Sequence, residues 1–342
     1  MQKSPGEISR ILDTLRGIHI KHDTGKALQS VLSRLFKVGE DGKLTHEPVL
    51  FTGGTETHSV VVIDGPGSGK TTAMLHAVRT SEALAENPET GMPRYIQVKV
   101  ASPATLRSLA RQFLTELGVD EVSDRVKVHE LWAMVRQLLW RRGITLVMVD
   151  EAHDMFKATV ASEADSMFRM LKSLMQGDHP VVLLLGGTQR LEQITRMDGQ
   201  VNRRFRKIQP QPLDVAADGP KLRKLIAVYA ENAGLSLGLR DDLTARLIHG
   251  ARYRFGRCIE IIIAAVEEAL LAGDDTLTGG HFEMAWGMQE GCPLTANVFA
   301  VTDFMAIELE DDDEIGDRLQ EAREKKQRAK EPPKSKRGKK AA

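Results

Sequence analysis

The stretch Val60-Val61-Val62-Ile63-Asp64-Gly65-Pro66-Gly67-Ser68-Gly69-Lys70-Thr71-Thr72 decides the fold of this 342-residue chain. Its four apolar residues read as a buried strand, the glycine-rich segment as a tight loop, and Ala73-Met74-Leu75-His76-Ala77-Val78 as the helix that follows. Strand, loop and helix in this order make a phosphate cradle. Glycines let the backbone close around phosphate oxygens, and successive N–H groups and the helix N-terminus favour the anion. The residues expected at a nucleotide are Gly65, Pro66, Gly67, Ser68, Gly69, Lys70, Thr71 and Thr72, with Lys70 reaching the β- and γ-phosphates and the Thr71 hydroxyl on Mg²⁺. Asp64 departs from the pattern G-x-x-x-x-G-K-[ST], standing where the first glycine belongs.

Downstream, Asn87-Pro88 and Gly91-Met92-Pro93 break the chain before an alternating strand, Arg94 to Val100. Ser102-Pro103 opens a helix with Leu106, Leu109, Phe113, Leu114 and Leu117 on its apolar face, stopped by Gly118. Arg107 and Arg111 lie on its other face, as solvated charge or as nucleic-acid contacts. A second helix, around Leu131, Trp132, Val135, Leu138 and Leu139, ends at Arg141-Arg142-Gly143, and its tryptophans read as core.

The strand Ile144 to Val149 then runs into Asp150-Glu151. Two acids directly after a buried strand sit at the carboxyl edge of a parallel sheet, where an open α/β protein binds its ligand. With the glycine-rich loop upstream, Asp150 is expected to orient Mg²⁺ through water and Glu151 to polarise the attacking water. A helix near Met167 to Leu174 and the strand Val181 to Leu185 follow, then Gly186-Gly187-Thr188-Gln189. Thr188, with Gln189 as the alternative, is the polar residue expected between the acids and the γ-phosphate; an ordinary turn residue is the other reading. This alternation of strands and helices specifies a three-layer α/β P-loop NTPase domain with a parallel sheet.

Arg203, Arg204 and Arg206 crowd four positions, too many for one buried pair. An arginine projected into a neighbouring subunit would neutralise charge developing on its γ-phosphate; a solvated basic edge is the alternative. Pro210-Gln211-Pro212 marks a boundary, and beyond Asp218-Gly219-Pro220 the periodicity is helical only, giving a small helical lid domain. Arg257, after Phe255-Gly256, is expected to face nucleotide under that lid. The divisions are N-terminal helices over 1–48, the nucleotide-binding domain over 49–210, the lid over 211–292 and a charged, mostly disordered tail over 293–342.

Lys and Arg together number 47, as do Asp and Glu, so net charge alone excludes neither a basic nor an acidic partner. The balance hides an acidic run, Glu308 to Asp317, followed by a basic one, Arg318 to Lys340. Cys258 and Cys292 are too few for a disulfide framework. No apolar run approaches membrane-spanning length and none resembles a signal peptide, so the expectation is a cytoplasmic protein without a membrane partner.

From about Ile8 to Trp286 the chain resembles the AAA+ ATPases of the TnsC/TniB transposition-regulator family. The resemblance rests on Gly187-Thr188-Gln189-Arg190-Leu191 followed by Asp198-Gly199-Gln200-Val201-Asn202-Arg203-Arg204-Phe205, beside the P-loop and Asp150-Glu151. It implies an AAA+ fold, a Mg²⁺-dependent ATPase, an arginine finger at Arg204 or its neighbour Arg203, and a second-sensor arginine at Arg257. It also implies a homo-oligomeric ring or filament on duplex DNA that recruits a transposase, answers to a target-selection protein and disassembles on hydrolysis. Lys99, Arg107 and Arg111 are the DNA-contact positions it suggests. An AAA+ ATPase of another DNA process, of initiator or loader type, or one associated with secretion, is the alternative.

Overall fold

A five-stranded parallel sheet forms the centre of the structure, a computed structural model that describes residues 3–100, 104–156 and 161–310. Its strands are β1 (Ser59–Ile63), β2 (Tyr95–Lys99), β3 (Leu146–Asp150), β4 (Val182–Gly187) and β5 (Phe205–Ile208), in the spatial order β2-β3-β4-β1-β5. Every residue of β1 and β4 is buried, and every residue of β3 but Asp150. Burial on both faces is why these strands read as unbroken apolar runs, whereas edge strand β2 alternates.

Helices cover both faces. Val61, Ile63, Val147, Val149, Leu183 and Leu185 share a core with α4 (Leu106–Glu116), α5 (Val128–Arg141) and α6 (Ala161–Leu174). Val60, Val62, Leu146, Met148 and Leu184 share the other with α2 (Asp23–Ser33) and α3 (Lys70–Thr80). The expected opening of α4 at Ser102-Pro103 lies outside the described residues; the helix begins after Thr105, whose hydroxyl accepts the Ser108 N–H at 3.1 Å. Trp132 is core, but Trp140 is 53% exposed and stacks on His179, which corrects the reading of both tryptophans as core.

The lid comprises α9 (Val215–Ala233), α10 (Leu243–Gly250), α11 (Phe255–Ala272) and α12 (Gly279–Glu290), packed around Ile226, Tyr229, Ile262, Phe282 and Trp286. Two segments join it that the sequence divisions set apart. The first is α1 (Pro5–Gly17), whose Ile8, Leu12 and Leu15 enter the lid core. A three-residue apolar stripe predicts burial without saying against what. The second is the start of the expected tail: Val298 and Phe299 are buried, and the buried Arg246 donates to the carbonyls of Val298 and Val301 at 2.7 and 2.6 Å. The charged runs beyond residue 310 lie outside the described residues.

Between α2 and β1, where the sequence divisions place only helices, lies an antiparallel hairpin, Phe36–Val38 with Leu44–Pro48, whose Lys37 and Glu47 pair at 2.9 Å. Its residues are mostly half-buried or exposed, and apart from the three residues Phe36-Lys37-Val38 they carry no apolar alternation, too little for the pattern of a strand. Of Val49-Leu50-Phe51, Leu50–Phe51 pairs with Glu56–Thr57 outside the main sheet.

Candidate nucleotide site

The loop between β1 and α3 turns through left-handed backbone at Gly67 and Gly69, with φ of +69° and +86°, conformations that glycine adopts without a Cβ penalty. Helix α3 starts directly on Lys70. The Lys70 ammonium, almost wholly buried, donates to the carbonyls of Asp64 and Gly65, both at 2.8 Å, and lies 3.5 Å from the Ser68 hydroxyl. The lysine is thus curled across the mouth of its own loop.

Strand β4 lies between the strands carrying the loop and the acids, so the site spans three neighbouring strand ends. The Thr71 hydroxyl donates to Oδ2 of Asp150 at 2.5 Å, and Oδ1 of Asp150 accepts the Glu151 N–H at 2.9 Å. Gly186 of β4 makes room for this meeting. A Cβ there would fall 2.8 Å from the Met74 sulfur and 2.9 Å from Asp150 Oδ1. Glu151 has φ +49°, a left-handed conformation uncommon outside glycine and concentrated at functional sites.

His153 escaped the sequence reading although it stands two residues past Glu151. Its nearly buried ring sits between two carboxylates, Nδ1 3.3 Å from Glu151 and Nε2 3.2 Å from Asp154. The signal was the adjacency itself, Asp150-Glu151-Ala152-His153. Thr188 caps α7 (Gln189–Arg196) half-buried at the end of β4, where the preceding Gly187 carbonyl accepts the Asp64 N–H at 3.1 Å; Gln189 is exposed. Thr188 therefore stands beside the entrance to the loop.

The lid presses on the loop from above. A Cβ on Gly256 would fall 2.4 Å from the Gly67 carbonyl oxygen and 2.6 Å from the Gly69 nitrogen. The Arg257 stem packs on Gly67, and burial, with Arg252 and Arg254 nearby, pulls its guanidinium below the usual arginine value. Arg254, which the sequence reading passed over, lies across Gly65 and donates to the Pro66 carbonyl at 3.4 Å. Burial raises the Asp64 carboxyl, against the Gly65 N–H, Lys70 and Arg254, which favour its charged form. A cavity of about 300 Å³ lined by Ile20, His22, Leu213, Leu222 and Phe255 lies between the α1–α2 connection and the lid. His22 stacks on Phe255 at 4.2 Å, and burial lowers its pKa, with Asp23 and Asp218 opposing.

The expected projection of Arg204 is corrected, and the arginines assigned to DNA have partners within the chain. Arg204 is 3% exposed; its Nε donates to Glu56 at 2.7 Å and its Nη2 joins the same carboxylate, so it does not project towards a neighbour. Arg203 meets the other Glu56 oxygen at 2.8 Å while staying 52% exposed. Both arginines lie at the β5 start, beside Ser59 at the opposite end of β1 from Lys70. Arg107 donates to the carbonyls of Asp124 and Val126 at 3.1 and 2.8 Å, and Arg111 to the Val122 carbonyl and the Asp124 carboxylate at 3.1 and 2.5 Å. These two half-buried arginines hold the loop after α4. Lys99 is exposed at the end of β2.

Among the described residues no cluster of three or more His, Cys, Asp or Glu is arranged for a metal ion, and no helix is long and apolar enough to cross a membrane. The Thr71 hydroxyl and Asp150 carboxylate are instead two hard oxygen donors, which suits an ion such as Mg²⁺ that keeps most of its water.

The fold is a P-loop AAA+ fold. The AAA domain family matches residues 55–195, from the turn before β1 to α7. Among solved structures, the chain is similar to the Aeropyrum pernix ORC1 protein in complex with DNA, at 18% identity and a TM-score of 0.56 over 84% of this chain and 72% of that one. It is also similar to the Aeropyrum pernix ORC2 protein in ADPNP-ADP complexes, at 18% identity and 0.51 over 82% and 72%. A third similar structure is CDC6P from Pyrobaculum aerophilum, at 12% identity and 0.50 over 86% and 73%. No curated protein sequence matches the chain.

Proposed function

We propose that this chain is a Mg²⁺-dependent ATPase that assembles on duplex DNA as a regulator of transposition. The observation that carries the hydrolytic part is the junction of Thr71 with Asp150 beside Glu151, because it brings a metal-binding pair and a base to the mouth of one phosphate loop. Mg²⁺ would supply charge neutralisation at the phosphate oxygens. Lys70 leaves its own carbonyls for the β- and γ-phosphates, and the loop N–H groups hold the remaining oxygens. Glu151 takes the proton of the attacking water, oriented by His153 and with Thr188 alongside. Arg257 closes over the nucleotide from the lid, and the cavity beside His22 and Phe255 takes the base.

In an oligomer, Arg203 rather than Arg204 is the residue to reach a neighbour's γ-phosphate. Its release leaves Glu56 still paired with Arg204. Transposition rests on the sequence resemblance, and with it the transposase, the target-selection protein and a cytoplasmic location. A second reading, an initiator or loader of another DNA process, is favoured by the likeness in fold to a DNA-bound ORC1 protein.

Electron microscopy and phosphate-release assays with ATP, a nonhydrolysable analogue and duplex DNA test the proposal. Rings or filaments that need ATP or the analogue, are lost in Lys70→Ala and persist in Glu151→Gln support it. Monomers under every nucleotide condition sink it. Stimulation of turnover or disassembly by a transposase selects the first reading, and indifference to one selects the second.

A further inference from the structure

We infer that Arg254 is a phosphate-contacting residue delivered by the lid, that the Asp64 carboxylate holds it over the loop, and that nucleotide phosphates take it over when they bind. The inference rests on the nucleotide-binding reading above and explains the departure at Asp64. A carboxylate at the first position of a phosphate loop repels a triphosphate unless something offsets its charge.

Arg254 is placed to do so. It is the residue before α11, in extended backbone with φ −108° and ψ 128°. Arg252 and Tyr253 before it both take left-handed conformations, φ +52° and +59°, and the turn they make delivers Arg254 to the loop. Arg252 is fixed by a bidentate pair with Glu290 at 2.9 and 2.8 Å, so the turn is anchored in the lid. The Arg254 side chain is 11% exposed and that of Asp64 21%, with Nε 4.0 Å from Oδ1. Its guanidinium lies so close over Gly65 that a Cβ there would fall 2.0 Å from Cζ. The group thus covers the amides expected to receive phosphate.

The strengths of the contacts set the direction of exchange. At 4.0 Å the Arg254–Asp64 contact is an ion pair without a short hydrogen bond, and the Pro66 carbonyl at 3.4 Å is a neutral acceptor. Arg–phosphate bonds are charge-assisted and bidentate, and so are stronger than either of these two contacts with the loop. Asp64, already bonded to the Gly65 N–H at 2.8 Å, stays behind in the loop. Charge in the loop is balanced before nucleotide arrives, and the lid is pulled onto the triphosphate afterwards.

The test is a double-mutant cycle with Asp64→Asn, Arg254→Gln and the pair. Hydrogen exchange without nucleotide is read at residues 65–69 and 255–258, and equilibrium binding is read for the nonhydrolysable ATP analogue with Mg²⁺ and for ADP. Either single change should speed exchange in both segments by about tenfold, with no further gain in the double variant. Arg254→Gln should weaken analogue binding about tenfold or more, and Asp64→Asn should leave it equal or tighter. Unchanged analogue affinity in Arg254→Gln, while the native chain binds, overturns this inference and leaves the nucleotide reading intact. Additive effects of the two changes on exchange overturn the Asp64 partnership. Failure of the native chain to bind either nucleotide overturns the nucleotide reading and the inference with it.

Discussion

The Thr71 hydroxyl donates a 2.5 Å hydrogen bond to the carboxylate of Asp150, 79 residues further along the chain. The contact joins the first turn of α3 to the end of β3 across the intervening strand β4. On the proposed Mg²⁺ roles, Thr71→Ala and Asp150→Asn are each expected to lower ATP turnover by about a hundredfold or more, because the first removes a hydroxyl donor and the second the negative charge offered to the ion. Thr71→Ser keeps the hydroxyl and should keep most of the rate. Steady-state phosphate release across a Mg²⁺ titration checks this, and a native rate independent of the ion would contradict it.

Arg204 and Glu56 form a buried pair joining the end of α8 (Gly199–Arg204) to the short Glu56–Thr57 strand before β1. Arg204→Ala removes the buried charge partner of a carboxylate that is 1% exposed and leaves it with Arg203, Thr52 and Gln176, so it should destabilise folding by about 2–3 kcal/mol in urea denaturation. Arg203→Ala, on a half-exposed side chain, should change stability by less than about 1 kcal/mol. A loss of ATPase activity in Arg204→Ala would then report unfolding, and Arg203→Ala is the variant that tests contact with a neighbouring subunit.

The same pair carries a pH dependence of known sign. Burial by itself would raise the Glu56 carboxyl, but hydrogen bonds from Thr52, Arg204 and Gln176 and the charge of Arg204 outweigh it and hold the pKa down from 4.5 to about 2. A depressed carboxylate stabilises the fold above its unfolded pKa, and the contribution is lost as pH falls from about 4.5 towards 2. The loss amounts to about 3 kcal/mol over that window. Denaturation midpoints in Glu56→Gln should be lower at neutral pH and flatter between pH 5 and 3 than those of the native chain, on the order of one pH unit resolving the difference.

What the letters disclosed was whatever is local or periodic. Val60 to Ile63, Leu146 to Val149 and Val182 to Leu185 are buried on both faces and could be read without knowing their neighbours. The meeting of Thr71 and Asp150 followed from strand ends sharing one edge of the sheet. Arg204 was misread because its partner Glu56 lies 148 residues away in a two-residue strand too short to show a pattern. Arg107 and Arg111 look like a cationic helix face in sequence, and their acceptors are mostly backbone carbonyls, which leave no trace in residue type. Asp64 was visible as an anomaly from the start, but Arg254 lies 190 positions on and gains its meaning only when the lid is folded over the loop.

Gly256 is where that lid contact can be tested without touching a charged group. A Cβ there meets the Gly67 carbonyl and the Gly69 nitrogen at 2.4 and 2.6 Å, and both are backbone atoms that cannot swing aside like a side chain. Gly256→Ala must therefore lift the first turn of α11 away from the phosphate loop. Alanine is the better helix former by about 1 kcal/mol, so the lid itself should be no less stable. The expected outcome is nucleotide affinity reduced about tenfold or more with an unchanged or slightly raised urea midpoint. Gly279→Ala, where a new Cβ meets nothing nearer than 3.8 Å, is the control and should bind like the native chain. Equal affinity in Gly256→Ala would show that nucleotide binds with the lid away from the loop.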